Sequence, residues 1–138
     1  MIILDTNVVL ELMRRSPNPA VAGWSLSHAR GLFTTSVTLA EIRHGIERLP
    51  DGQRKAELRA KAADIFFALA DKVLPFDARA ALRYAALMAD RDQAGLPMAG
   101  FDAQIAAICR ACNATLATRN LKDFRHTGVE LINPWQAS

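Results

Sequence analysis

The hydrophobic and polar positions of the chain alternate between short apolar runs and longer helical repeats. The short runs, apolar or rich in β-branched residues, predict strands at residues 2–4, 32–37, 72–76, 114–118 and 129–133. Between them, apolar residues recur at helical spacing and predict helices at residues 8–15, 20–30, 39–49, 53–70, 78–93 and 101–112. Strands separated by crossover helices indicate a parallel sheet covered on both faces. The predicted fold is therefore α/β, a three-layer α/β/α sandwich with a small parallel sheet.

Length and composition limit the number of domains and the location. A chain of 138 residues is long enough for one hydrophobic core and short for two, so residues 1–138 are predicted to form a single domain. The hydrophobic share of 51% is ordinary, and no apolar window is long enough to span a bilayer. The N-terminus lacks the order of a secretory signal. We expect a cytoplasmic protein without membrane contact.

Two cysteines, Cys109 and Cys112, form a CxxC spacing that in other proteins marks redox chemistry or half of a zinc site. A zinc site needs further ligands, whereas the three histidines are isolated along the chain. A redox pair is typically at the start of a helix, and this pair falls near the end of one. Two small thiols in a reduced cytosol are the simpler interpretation.

Four acids fall where predicted strands end or helices begin. Asp5 directly follows the first strand, Glu41 is placed in the first turn of the helix after the second strand, Asp102 begins the helix before the fourth strand, and Asp123 lies in the turn after that strand. In an open parallel sheet, ligands bind beyond the carboxyl ends of the strands. We therefore expect the four carboxylates to converge.

Each acid taken alone has an ordinary structural explanation. An aspartate near a helix start caps free N–H groups, which would account for Asp5 and Asp102, and Asp123 sits in a polar turn. The same explanation is weaker for Glu41, because Ser36 and Thr38 are already available as caps.

The four acids together are harder to explain as caps. Converging carboxylates repel one another unless cations neutralise them. Mg²⁺ or Mn²⁺ prefers carboxylate and water oxygens, activates water and stabilises in-line displacement at phosphorus. The cluster indicates hydrolysis of a phosphate ester.

A net charge of +3 and a pI near 9.2 are compatible with a polyanionic partner without demonstrating one.

Four segments resemble, in order and spacing, the motifs of PIN-domain ribonucleases, specifically the VapC-type toxins of bacterial toxin–antitoxin pairs and the similar FitB branch. They are MIILDTNVVLELM, VTLAEIRHGIERL, FDAQIAAICRACNATLATRNLKDF and VELINPW, and the likeness covers nearly the whole chain. The stretch LPMAGF, which precedes Asp102, is the least family-like part around the site.

The resemblance implies a metal-dependent endoribonuclease that uses Mg²⁺ or Mn²⁺. Four residues match the family acids that act as catalytic residues and metal ligands: Asp5, Glu41, Asp102 and Asp123. Four more match polar positions that orient carboxylates, water or backbone: Thr6, Asn7, Thr118 and Asn120. Three cations beside the acids are the candidates for RNA contact: Arg43, Arg119 and Lys122.

The resemblance also implies partners. We expect a homodimer held by the apolar faces of the helices between residues 8 and 49. A cognate antitoxin protein would neutralise the toxin with an arginine laid against Asp5, Glu41 and Asp102, and DNA would be contacted only through that antitoxin.

Two other functions are compatible with parts of the pattern. A degenerate PIN scaffold would bind RNA or protein without catalysis, although the presence of all four acids argues against it. A phosphatase of the haloacid dehalogenase type needs a second aspartate two residues after its nucleophile, and Asn7 occupies that position.

Overall fold

The computed structural model describes residues 1–137 of the chain, so residue 138 of the predicted domain lies outside the described residues. The strands are β1 (Ile2–Leu4), β2 (Leu32–Thr35), β3 (Val73–Leu74), β4 (Thr115–Ala117) and β5 (Leu131–Ile132). The helices are α1 (Thr6–Leu12), α2 (Pro19–Ser27), α3 (Ser36–Glu47), α4 (Gln53–Leu69), α5 (Ala78–Ala94) and α6 (Gly100–Cys112). Short 3₁₀ turns at Ala29–Gly31 and Ala70–Lys72 lead into β2 and β3.

The five strands form one parallel sheet in the order β3-β2-β1-β4-β5. Strand β1 lies in the centre, with Ile3 opposite Phe33 of β2 and opposite Leu116 of β4. The chain first extends the sheet on one side of β1 and then crosses to the other, so the strand order reverses at the β1–β4 pair. Ligands of such sheets bind in the crevice beyond the strand ends at this switch point.

Helices cover both faces of the sheet. Side chains alternate along the strands, so Ile3 and Leu116 belong to the core packed by α5 and α6, while the next residues, Leu4 and Ala117, belong to the core packed by α1 to α4. All four are nearly or completely buried. The predicted three-layer α/β/α sandwich is confirmed.

The junction between β2 and α3 differs from the sequence prediction. The strand ends at Thr35, because the Thr35 hydroxyl accepts a hydrogen bond from the Thr38 amide at 3.0 Å and caps α3. Helix α3 therefore begins at Ser36. The prediction that Ser36 or Thr38 caps the helix is wrong, and Glu41 lies in the second turn of α3 rather than in the first.

Strand β3 and helix α2 also have bounds that differ from the prediction. Strand β3 stops at Leu74 because Pro75 has no N–H to continue the ladder. Helix α2 starts at Pro19 behind an Asn18 cap and ends at Ser27. Within residues 1–137, no helix is long and apolar enough to cross a lipid bilayer.

Candidate functional site

Asp5 stands at the carboxyl end of the central strand, and its side chain is held from two sides. Its backbone N–H donates to the Ala117 carbonyl at 2.9 Å, which anchors the residue to β4. Its Oδ1 accepts from the Thr6 amide at 2.9 Å and caps α1, while its Oδ2 accepts from the Thr118 hydroxyl at 2.8 Å. Capping therefore engages one carboxylate oxygen, and the other faces the switch point.

A polar network surrounds the Oδ2 atom of Asp5. The Asn7 amide Nδ2 donates to it at 3.2 Å, and the Asn120 backbone N–H donates to the Thr118 hydroxyl at 3.0 Å. The Asn7 Oδ1 in turn accepts from the Arg119 backbone N–H at 3.2 Å. These bonds tie the loops after β1 and β4 together and give the Asp5 carboxylate one orientation.

Glu41 reaches the same edge of the sheet from α3. The Thr6 hydroxyl donates to Glu41 Oε1 at 2.8 Å and lies 3.1 Å from the hydroxyl of the fully buried Thr38. Thr6 therefore links the start of α1 to α3.

Asp102 and Asp123 complete the arrangement from the other side of the crevice. Asp102 lies in the first turn of α6, but the cap position is Ala99 and carries no side-chain cap, so capping does not explain Asp102. The Asp123 Oδ2 accepts from the Asn120 amide at 2.6 Å in the exposed turn after β4. Each of the polar residues Thr6, Asn7, Thr118 and Asn120 thus contacts an acid or another member of this network.

The pKa values show that the acids share one electrostatic environment. Burial raises the pKa of Asp102 to about 6, and the negative charges of Asp5, Glu41 and Asp123 contribute in that order. Burial also raises the pKa of Asp5, partly offset by the hydrogen bonds from Thr118 and Thr6, with Glu41 adding to the rise. The structure therefore brings the four predicted site residues within electrostatic range of one another.

No basic side chain of the described residues forms an ion pair with these acids. The five ion pairs formed by residues 1–137 all lie elsewhere, on α1 and the turn after it, on α3, and on α4 and the turn before it. Nor does any group of three His, Cys, Asp or Glu side chains in this part of the chain form a ready metal cage. Mg²⁺ commonly binds through one or two carboxylates, several waters and substrate phosphates, without a protein cage. The oxygen-only donor set fits such a cation.

The three predicted RNA-contacting cations have different surroundings. Lys122 lines a cavity together with Asp102 and Asp123. The Arg119 guanidinium lies 5.0 Å from the centre of the Trp135 ring, and Arg43 lies 3.8 Å from Glu47 on the next turn of α3.

The surroundings of the two cysteines do not favour redox chemistry. Both are free, and burial raises the pKa of the Cys109 thiol, which disfavours the reactive thiolate. These surroundings agree with the simpler interpretation of Cys109 and Cys112 as two small reduced thiols.

Sequence reasoning missed two residues around the acids. The sequence indicates only a capping role for Thr38, yet its hydroxyl lies beside that of Thr6 in the network. Arg91 is 7% exposed and lines the cavity beside Asp102. The sequence feature that could have identified Arg91 is its position on α5, where it follows Ala80 and Leu87 at helical spacing on the buried face.

The Asp102 carboxylate is expected to destabilise the metal-free protein at neutral pH. The pKa of Asp102 is raised to about 6 in the folded state and is about 4 in the unfolded state. Between about pH 4 and pH 6, the folded protein therefore keeps a proton on Asp102 that the unfolded chain has released. The destabilisation is thus absent below about pH 4 and complete above about pH 6. In EDTA, Asp102→Asn should raise the melting temperature at pH 8, by the equivalent of about 1 kcal/mol after allowance for solvent screening.

The measurement is the melting temperature of variant minus parent at pH 8 and at pH 4. The difference should shrink at pH 4, where both side chains are neutral. A gain of the same size at both pH values would show that the effect is not electrostatic.

A family model described as the PIN domain matches residues 2–130 of this chain. The chain is similar to the plasmid stability protein StbB of Pseudomonas syringae, with 41% identity over 99% of this chain and 100% of the relative. It is 37% identical to the VapC ribonuclease Y4jK of Sinorhizobium fredii, over 99% of each chain. It is also 34% identical to the toxin FitB of Neisseria gonorrhoeae, over 98% of this chain and 99% of the toxin.

Solved structures of similar proteins share the fold along nearly the whole chain. The crystal structure of FitAcB from Neisseria gonorrhoeae superposes with a TM-score of 0.91 at 34% identity, covering 99% of this chain and 100% of that one. VapBC2 from Rickettsia felis, bound to a DNA fragment from its promoter, gives a TM-score of 0.84 at 26% identity, covering 96% and 98%.

Proposed function

We propose that this chain, which belongs to the PIN domain family, is a metal-dependent endoribonuclease that acts as a cytoplasmic toxin and is neutralised by a cognate antitoxin. The observation that carries the proposal is the group of four acids at one edge of the sheet, which form no ion pair within residues 1–137. The pKa of Asp102 is raised by burial and further by the charges of the other three. The similarity to a protein named a VapC ribonuclease adds the substrate class.

The residues that would hold Mg²⁺ or Mn²⁺ are Asp5, Glu41, Asp102 and Asp123. The chemistry supplied by the bound metal is activation of a water nucleophile and stabilisation of the attacking and leaving oxygens of an in-line displacement at phosphorus. Rigid elements position three of these acids, Asp5 directly after β1, Glu41 on α3 and Asp102 on α6. Such positioning limits the movement of the reacting groups and favours near-attack geometry.

The hydroxyl and amide groups around the acids have a positioning role in this proposal. Thr118 and Asn7 donate to Asp5 Oδ2, Thr6 donates to Glu41, and Asn120 donates to Asp123. Each bond holds its carboxylate in one rotamer, which orients the oxygens that would ligate a metal. Arg43, Arg119 and Lys122 remain our candidates for contacts to the RNA backbone.

The antitoxin is proposed to occupy the acidic crevice and the apolar groove beside it. A groove of about 390 Å³ between α1, α3 and α4 runs from Thr6 and Glu41 to Leu10, Ile46 and Leu58. An antitoxin segment with apolar side chains in this groove would bring an arginine to the acids at its end. Its guanidinium would supply the positive charge that the acids lack. DNA contact would come only through the antitoxin, and the VapBC2 complex of Rickettsia felis was crystallised with a DNA fragment from its promoter.

We further propose a homodimer, and a single domain over residues 1–138. The sheet joins β1 near one end of the chain to β5 near the other, which supports one folding unit. The predicted dimer contact uses the helices between residues 8 and 49, where Leu26 is 79% exposed and lies outside the proposed antitoxin groove. Sedimentation of the parent against Leu26→Lys tests this contact, because a dimer held there should dissociate.

Mg²⁺ or Mn²⁺ is expected to raise the melting temperature of the parent protein. Binding to the folded state alone stabilises it by mass action, by about 2.7 kcal/mol when the metal is at 100 times its dissociation constant. In a domain of this size that corresponds to several degrees. Asp5→Asn combined with Asp102→Asn should abolish the rise, measured by differential scanning fluorimetry.

The matched control is Asp64→Asn combined with Asp90→Asn, which removes two exposed aspartates from α4 and α5. This control should retain the full rise. If the Asp5 and Asp102 double variant were stabilised as much as the parent, the metal site would lie elsewhere. If the parent itself did not respond, a degenerate scaffold would be the better description.

A further inference from the structure

A small cavity of about 290 Å³ adjoins the acid cluster on the side of Asp102 and Asp123. One wall is the loop between α5 and α6, residues 96–99, and the opposite wall is the turn after β4 with Lys122 and Asp123. Its volume is near the lower end of the range for ligand pockets, roughly 300–1,000 Å³. The cavity therefore suits one small group, contiguous with whatever the acids bind.

Arg91 joins the two walls of this cavity. Its Nε donates to the Leu96 carbonyl of one wall at 3.0 Å, and its Nη1 donates to the Arg125 carbonyl of the other at 2.6 Å. The side chain is 7% exposed, and it forms no ion pair with a carboxylate of the described residues. A buried guanidinium held only by carbonyl oxygens keeps its full positive charge inside the cavity wall.

Beside the Asp102 and Asp123 carboxylates, the lining combines apolar surface with positive charge. Leu96, Pro97 and Met98 supply apolar surface, and Met98 is fixed because it also packs on the core below. Lys122 and Arg91 supply positive charge. A nucleotide combines the same two features, a flat base that stacks on apolar surface and an anionic phosphate.

We propose that this cavity is a nucleotide subsite, which binds the nucleotide of single-stranded RNA next to the phosphodiester held at the acids. The base packs against Pro97 and Met98, Lys122 pairs with a phosphate oxygen, and Arg91 is a positioning residue that sets the width of the cavity. The location of the cleaved bond rests on the proposed function, whereas nucleotide binding follows from the cavity itself. The loop that forms this wall is the segment LPMAGF, the part of the site with least likeness to the family motifs.

Methyl NMR tests the proposal directly. The chain has four methionines, so a sample labelled with ¹³C at the methionine methyl groups has four signals. Titration with adenosine 5′-monophosphate in Mg²⁺ should shift the Met98 methyl upfield in a saturable manner, through the ring current of the stacked base. The signals of Met1, Met13 and Met88, which lie outside the cavity, are internal references. Ribose 5-phosphate, which lacks a base, should leave the Met98 signal near its starting position.

Two matched variants separate the site from general charge effects. Lys122→Gln should weaken adenosine 5′-monophosphate binding several-fold, and Lys61→Gln, which removes an exposed lysine of α4, should not. If the Met98 methyl moved no more than the other three, or if both lysine variants weakened binding equally, the subsite would be refuted.

Kinetics on RNA separate this inference from the proposed function. Met98→Ala should lower kcat/KM for single-stranded RNA about tenfold, mostly through KM, as expected for one lost base contact. Leu82→Ala, at an exposed apolar position of α5, is the control and should match the parent. Cleavage by the parent without a Met98 response would refute the subsite alone, and a Met98 response without cleavage would refute the nuclease alone.

Discussion

Asp5→Asn is expected to reduce cleavage of single-stranded RNA by at least about a hundredfold while the chain stays folded. Asparagine keeps the Oδ1 atom that caps α1 through the Thr6 amide, and its amide group fills the space of Oδ2. What it loses is the negative charge in the central position of the site, together with the Oδ2 acceptor of the hydrogen bonds from Thr118 and Asn7. Burial opposes the charge, as the raised pKa of Asp5 shows, so relief from burying it offsets part of the stability lost with those bonds.

The measurement is the single-turnover rate on a labelled RNA, with circular dichroism and melting temperature as checks of folding. Asp102→Asn should behave in the same way, because Asp102 is not a cap residue. Asp64→Asn on α4 is the matched control and should cleave at the parent rate. EDTA should suppress the parent to the level of Asp5→Asn, and cleavage that persists undiminished in EDTA would contradict the metal mechanism.

The second large effect is expected in inhibition by the antitoxin. A peptide from the antitoxin tail with its arginine intact should inhibit the RNase, and the same peptide with Arg changed to Ala should need at least about a tenfold higher concentration. The guanidinium would pair bidentately with carboxylates that form no ion pair within residues 1–137. A lysine peptide should be intermediate, because an ammonium is a point charge without the planar fork.

Binding of the same peptides to the Asp5→Asn, Asp102→Asn double variant locates the contact. The advantage of the arginine peptide over the alanine peptide should disappear in this protein, while apolar contacts in the groove at Leu10 and Ile46 persist. Equal inhibition of the parent by the arginine and alanine peptides would leave the acidic crevice without a role in regulation. Isothermal titration calorimetry in EDTA separates this contact from competition with metal.

Several parts of the fold were readable from local sequence, because their causes are local. The apolar run Ile2–Leu4, followed by an aspartate, marks a buried strand and a helix start within a few residues. The alanine-rich, periodic sequences of α4 and α5 predict both helices, with bounds close to those observed. Predicted boundaries were wrong where a segment could continue a strand or start a helix. At the end of β2, the Thr35 cap starts α3 at Ser36 and ends the strand.

The sequence by itself determined that the chain is α/β, and that four acids follow or precede strands at places where a parallel sheet collects ligands. Its motifs also determined the family, which the match over residues 2–130 confirms. These conclusions need only residue types, their periodicity and their order, which are properties of the linear chain.

Only the tertiary structure decided which groups share an environment. Thr118 and Asp5 are 113 residues apart in the chain, yet their side chains are bonded at 2.8 Å because β4 pairs with β1. The same holds for Arg91, whose two carbonyl partners lie on the loop before α6 and in the turn after β4. Its buried charge and the raised pKa of Asp102 depend on distance and on exclusion of water. Both are set by the packing of remote segments, so no local pattern in the sequence encodes them.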